Sequence, residues 1–199
     1  MSLQDTPRSE RLHIGLFGRR NSGKSSLVNL LTGQSTAVVS AVPGTTTDPV
    51  YKAMELFGLG PCVFIDTAGF DDEGGLGELR VAKTRQAAAR TDIAIVVFSG
   101  EETESELAWV RWFRQAGTPV LPVLSKRDTL GEQAVAARTI AAAVGCEPLV
   151  VSAQDPEDRE RLRQALLALL PEDFSVGSLT GGLAKNGDTV LLVMPQDIQ

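Results

Sequence analysis

Gly18, Arg19, Arg20, Asn21, Ser22, Gly23, Lys24 and Ser25 form the pattern Gly-x4-Gly-Lys-Ser. Residues of these types at this spacing can hold a polyphosphate. Glycines let successive backbone N–H groups turn inward onto phosphate oxygens, and a helix starting inside the loop adds the positive end of its dipole. The N–H groups of Arg20, Asn21, Ser22, Gly23, Lys24, Ser25 and Ser26 are the expected donors. Lys24 supplies a charge to the β- and γ-phosphates, and Ser25 a hydroxyl to Mg²⁺. The alternative is a Gly-rich turn with a chance lysine.

Four further segments could complete such a site. Pro43-Gly44-Thr45-Thr46-Thr47-Asp48 lies about 20 residues past the loop, where a threonine can close on γ-phosphate and Mg²⁺; it also reads as a plain polar turn. Val63-Phe64-Ile65-Asp66-Thr67-Ala68-Gly69 is an apolar run ending in a carboxylate. Asp66 can hold a Mg²⁺-bound water, or cap a helix, and Gly69 can donate its N–H to the γ-phosphate. Ser125-Lys126-Arg127-Asp128 departs from the usual guanine-reading Asn-Lys-x-Asp. Asp128 can still accept the ring N–H and the exocyclic amine of guanine together, a pair that adenine does not offer. Lys126 can lay its stem along the base. Ser125 is shorter than Asn, so weaker base binding with retained guanine specificity is expected. Val151-Ser152-Ala153 follows in order, with a backbone N–H for the guanine carbonyl. Five elements in this order imply binding of GTP and GDP with Mg²⁺.

These segments must be positioned by strands and helices. Apolar runs predict strands at 12–17, 50–57, 62–66, 93–98, 119–124 and 147–151. Helical spacing predicts helices at 23–33, 78–90, 102–116, 130–143 and 156–169. The alternation implies an α/β fold of the phosphate-loop NTPase class: a six-stranded, mostly parallel sheet with helices on both faces. The runs 93–98 and 120–124 are apolar throughout, as central parallel strands require. Gly58-Leu59-Gly60-Pro61 is too short for a crossover, so strands 50–57 and 62–66 should form an antiparallel edge hairpin. The domain should run from 11 to 172, after a disordered lead-in at 1–10. Residues 173–199 read as a linker and the first strand, Thr189–Met194, of an incomplete second module. A lone strand must find a partner or stay mobile.

Composition narrows the function classes. The 199 residues are 43% hydrophobic and carry a net charge of −6, which does not favour a nucleic-acid partner. No apolar stretch is long enough for a membrane span, and the start lacks the pattern of a signal peptide. The two cysteines, Cys62 and Cys146, sit in apolar runs beside prolines and are expected to be buried and inert. The single histidine, His13, is expected at a partly exposed strand position. No transition-metal site is self-evident, and a cytoplasmic location is expected.

The chain resembles the translation-factor-related small GTPases with a Ras-like G domain, within the group of tRNA-modification and ribosome-assembly GTPases. More narrowly, it is similar to the HydF-type GTPase that matures the iron-only (FeFe) hydrogenase cluster. The strings that carry this likeness are Gly18–Leu27, Leu31–Gln34, Val42–Val50, Asp66–Gly74 with Leu76–Thr84, and Gly187–Val190 with Val193–Asp197. The resemblance implies that Thr46 is the metal-ligand threonine and that residues 187–197 enter a dimerisation domain. That family also carries a cluster-ligand domain, which is not expected within these 199 residues. It also implies partners: the other maturases, the hydrogenase and a second copy of the chain; charge and hydropathy lead to no expectation of nucleic acid or membrane.

Phe70 stands where many GTPases place a water-orienting glutamine. Relatives with a hydrophobic residue there resemble potassium-activated GTPases. Asn21 matches their potassium ligand, joined by carbonyls from Ser40 to Thr45; as a residue it also reads as a simple loop turn. Slow hydrolysis, faster in K⁺, is therefore expected, with Lys24, Thr46, Gly69 and Asn21 as the catalytic set. Asp71, Asp72 and Glu73 either position water or form a solvated loop. The alternatives are a tRNA-modification or ribosome-assembly GTPase, and a non-catalytic GTP-dependent interaction module.

Overall fold

The computed structural model describes residues 11–33, 49–67, 77–100, 103–128 and 133–170. The expected lead-in at 1–10 and the strand at 189–194 lie outside these residues, as do Thr45, Thr46, Gly69 and Phe70.

Six strands, β1 (Leu12–Phe17), β2 (Val50–Leu56), β3 (Gly60–Asp66), β4 (Ile93–Phe98), β5 (Val120–Leu124) and β6 (Leu149–Val150), form one sheet in the order β2-β3-β1-β4-β5-β6. Only β2 and β3 pair antiparallel, and the rest are parallel. The expected sheet and its edge hairpin are both present. β4, buried at every position, lies between β1 and β5, as its unbroken apolar run requires.

The helices are α1 (Lys24–Thr32), α2 (Gly77–Ala88), α3 (Glu104–Gln115), α4 (Gln133–Val144) and α5 (Glu157–Leu167). They cover both faces. Leu27, Val28 and Leu31 of α1 and Leu162 and Leu166 of α5 pack with Leu12, Ile14, Leu16 and Phe64 on one side. Val110 and Phe113 of α3 and Ile140 and Val144 of α4 pack with Phe17, Val96 and Phe98 on the other. Each fully buried aliphatic or aromatic side chain contributes about 1.5–3 kcal/mol, so these two clusters supply most of the driving force.

Two boundaries differ from expectation for physical reasons, and one interior proline has its own. β3 begins at Gly60, because the hairpin turns over Phe57–Leu59 with Leu59 N–H bonded to Leu56 O at 3.0 Å. β6 shrinks to two residues; it follows Pro148, which has no N–H to give a ladder. Pro122 is tolerated within β5, since β6 reaches only Val123 and Leu124 and leaves the edge beside the proline without a partner strand.

The cysteine expectation needs one correction. Cys62 is buried in β3, and burial pushes its thiol up to about 12. Cys146 is exposed. It follows Gly145, whose φ of 78° turns the chain out of α4 into solvent. His13 is partly exposed as expected, with Nδ1 at 3.3 Å from Asp92 Oδ2.

Candidate functional site

The phosphate loop is held at the end of β1 by packing from α3. Phe17 stacks on Trp109 at 5.2 Å and meets Phe113 at 4.6 Å between ring centroids. Aromatic pairs at such separations are favourable beyond their buried area. Gly18 follows at φ 152°, and a Cβ there would lie 2.5 Å from Val97 O. Only glycine fits where the loop crosses β4 this closely. Gly23 takes φ 96° at the start of α1, a conformation that aims N–H groups into the loop.

Two side chains fix the loop from inside. Lys24 is 7% exposed. Its Nζ donates to Gly18 O at 2.8 Å and Arg19 O at 2.7 Å, so its charge sits within the loop curve. Glu106, fully buried in α3, accepts from Arg19 N at 3.2 Å and from Arg19 Nε at 3.1 Å. Asn21 is exposed with φ 59°. Asparagine tolerates the left-handed region, so the backbone alone accounts for this residue type.

Ser25 Oγ donates to Asp66 Oδ2 at 2.6 Å. These two residues, expected as the metal-binding pair, come together from α1 and the end of β3. Thr67 Oγ1, buried, donates to Leu16 O at 2.6 Å and ties the β3 end to β1. A hydroxyl and a carboxylate are hard oxygen donors, the class that suits Mg²⁺. Ser22 is fully buried, and its Oγ has no hydrogen-bond partner among the described residues. A buried unpaired hydroxyl beside inward-turned N–H groups fits a loop built for phosphate oxygens. Arg20 is exposed on the same loop, and Ser26 is exposed in the first turn of α1. Thr45, Thr46 and Gly69 lie outside the described residues. Among those residues no cluster of three or more His, Cys, Asp or Glu could hold a metal.

The segments expected to read the base converge at the neighbouring strand ends. Ser125, 3% exposed, donates from Oγ to Ser22 O at 2.5 Å. Phe98 O lies 3.2 Å from the same oxygen but already accepts Ser125 N–H at 3.0 Å. One hydroxyl proton therefore joins this loop to the phosphate loop. Lys126 has φ 60°. It and Asn21 are the two non-glycine residues at positive φ among the described residues, and both sit in this site. Such strain persists where the surroundings impose it, commonly at ligand clamps.

Asp128 is exposed, with Oδ1 accepting from Ser152 Oγ at 2.7 Å. That hydroxyl, first among several contacts, holds the carboxyl below the usual aspartate range, so it is an ionised acceptor. Ser152 N–H is committed to Asp158 Oδ2 at 2.8 Å. The next residue, Ala153, whose N–H is the remaining donor expected for the guanine carbonyl, is half-buried.

Four residues that shape this site were missed in the sequence. Glu106 is a lone acid on an otherwise inward helix stripe. Arg127 occupies the variable position of Ser-Lys-x-Asp. It pairs with Asp155 at 2.5 Å and Asp158 at 3.0 Å. Asp155 and Asp158 read as ordinary acids at a helix start. The usable signal was Asp158 followed three residues later by Arg161, which pairs with it at 2.5 Å.

Fold and site together define a phosphate-loop nucleotide-binding α/β domain with its ligands at the C-terminal strand ends. The family model described as 50S ribosome-binding GTPase matches residues 13–126. The chain belongs to that family, and it is a GTPase domain. It is 34% identical to GTPase Der of Nitrosococcus oceani over 161 residues, covering 79% of this chain and 34% of that protein. It is 32% identical to the tRNA modification GTPase MnmE of Halorhodospira halophila over 167 residues, covering 82% of this chain and 35% of that protein. The chain thus spans about a third of the length of these curated relatives. The crystal structure of a point variant of Aquifex aeolicus Era bound to GDP·AlF₄⁻ shares the fold. Its TM-score is 0.64 at 24% identity, with 80% of this chain and 57% of that one covered. No helix among the described residues is long and apolar enough to cross a membrane.

Proposed function

We propose that this domain binds GTP and GDP with Mg²⁺ and hydrolyses GTP slowly, as a switch. The observation that supports it most is the bond from Ser125 to Ser22 O at 2.5 Å. It ties the loop of phosphate-binding type to the segment of guanine-reading type, as a site shared by one nucleotide would need. Loop N–H groups and Lys24 would hold the β- and γ-phosphates. Ser25, Thr46 and Asp66, the last through water, would hold Mg²⁺, which neutralises charge on the phosphates when bound. Asp128 and the Ala153 N–H would read guanine, with Lys126 along the base. Water attacks the γ-phosphorus in line and GDP leaves with inorganic phosphate. Gly69 N–H would meet the γ-phosphate.

The K⁺ role of Asn21 rests on the sequence motif and on Phe70. The test is phosphate release from GTP with Mg²⁺, in K⁺ and in Na⁺. Release that requires Mg²⁺ and runs faster in K⁺ is the expected result. Absence of release in either salt would leave a GTP-dependent interaction module.

Two readings of what the switch serves remain. The named relatives lend tRNA modification or ribosome assembly the stronger support. Assembly of the hydrogenase metal cluster, with maturases, the hydrogenase and a second copy as partners, is supported by the longer sequence strings alone. On that reading residues 173–199 open a dimerisation domain. Deleting the gene from a host that makes an FeFe hydrogenase separates the two. Loss of hydrogenase activity with normal tRNA and ribosomes favours the cluster; the reverse favours RNA.

A further inference from the structure

The two loops that read the base leave the sheet at its weakest edge. β6 meets β5 through only two register pairs, Val123 with Leu149 and Leu124 with Val150. Two pairs do little to set the height of loop 151–155 against Asp128. A buried carboxylate does more. Asp158, 1% exposed in the first turn of α5, accepts Ser152 N–H at 2.8 Å through Oδ2. The same oxygen lies 3.0 Å from Arg127 on the other loop. Its Oδ1 takes Arg161 at 2.5 Å, and Arg161 also donates to Val150 O at 3.1 Å. Arg127 N–H reaches Val151 O at 3.2 Å. Both loops are therefore referred to one ion. Burial in low dielectric makes such a charge demand its partners, which fixes their positions.

We propose that Asp158 is a positioning residue for guanine recognition. Through Arg127 and Ser152 it sets the orientation of Asp128 and the place of the Ala153 N–H. It thereby sets discrimination against purines that lack the exocyclic amine. A bidentate pair needs both carboxylate oxygens in the plane of the base, so a small tilt removes one of two bonds. Phosphate binding, built separately on residues 18–26, is not touched by that tilt. The proposal rests on Asp128 reading guanine.

The experiment is titration of wild type, Asp158→Asn and Arg127→Gln with GDP and IDP in Mg²⁺. Asn keeps the size of Asp158 but sets an NH₂ against a guanidinium. GDP affinity should fall about tenfold, the worth of one charge-assisted hydrogen bond. IDP affinity should fall less, because hypoxanthine shares the ring N–H and the carbonyl but lacks the amine, so the GDP:IDP ratio drops. Arg127→Gln should move the ratio the same way by less. A folded Asp158→Asn protein with an unchanged ratio, or with GDP and IDP weakened alike, overturns the proposal. If Asp158→Asn does not fold, an unchanged ratio in Arg127→Gln overturns it. Wild type that fails to prefer GDP over IDP refutes the guanine reading instead.

Discussion

The phosphate end and the base end of this site are built by opposite means. The phosphate end is continuous in sequence, from Gly18 to Ser26, and the donors expected there are mostly backbone N–H groups, in a loop shaped by glycine geometry and by α3. The base end draws Ser125–Asp128, Ser152–Ala153 and Asp158 from three elements and joins them by side chains. Phosphate is a repeated charge that N–H groups can meet in many registers. A purine edge is a directional pattern, so its partners need exact orientation. Binding strength should therefore reside at the first end and selectivity at the second.

Lys24→Ala offers the largest test of that division. It removes the charge inside the loop, and nucleotide binding should be lost for GDP and IDP alike. Retained GDP binding by titration would place affinity elsewhere. Asp128→Asn should act on selectivity instead, exchanging guanine preference for xanthine while phosphate contacts persist. Competition among GDP, XDP and ATP measures this, and equal affinity for GTP and ATP in wild type would break the comparison outright.

Ser125→Ala tests the junction of the two ends. It deletes one neutral hydrogen bond, about 1 kcal/mol or a few-fold in affinity for GDP. A loss confined to one nucleotide base would show that the bond serves selectivity alone. Asn21→Gly keeps the left-handed backbone and removes only the side-chain oxygen. Turnover in K⁺ should fall toward the Na⁺ rate with GDP affinity unchanged, the mark of a group acting in the transition state. Equal rates in the two salts before and after substitution would end the potassium reading.

The pH profile gives the smallest effect. Ser152 holds Asp128 below the ordinary carboxylate range. A lowered pKa means that base recognition is complete above it and fades only as pH falls through it. The GDP:IDP ratio should thus stay flat on acidification through the ordinary aspartate range, while the domain remains folded.

The same contrast explains what could be read from the sequence. The strands were legible because β1, β4 and β5 are apolar runs that no other element would bury. The phosphate loop was legible because its chemistry lies in consecutive residues. Asp66 was legible as the polar end of an apolar strand, and it does meet Ser25. The base end was half legible. Asp128 and Ser152 stood in order, but Arg127 and Asp158 are distant in sequence and ordinary in type. Their role exists only once α5 brings Asp158 against Ser152 and Arg127. Burial of Glu106 was likewise invisible, since nothing in its own helix pairs with Arg19. Cys146 misled because an apolar neighbourhood in sequence ends up in an exposed turn.

Both tryptophans of the chain, Trp109 and Trp112, lie on α3, with ring centroids 5.8 Å apart. Trp109 stacks on Phe17, the residue directly before the phosphate loop. All indole emission therefore arises from one helix flank touching the root of that loop. The domain carries a built-in optical probe, and intrinsic fluorescence should report nucleotide arrival with no label attached.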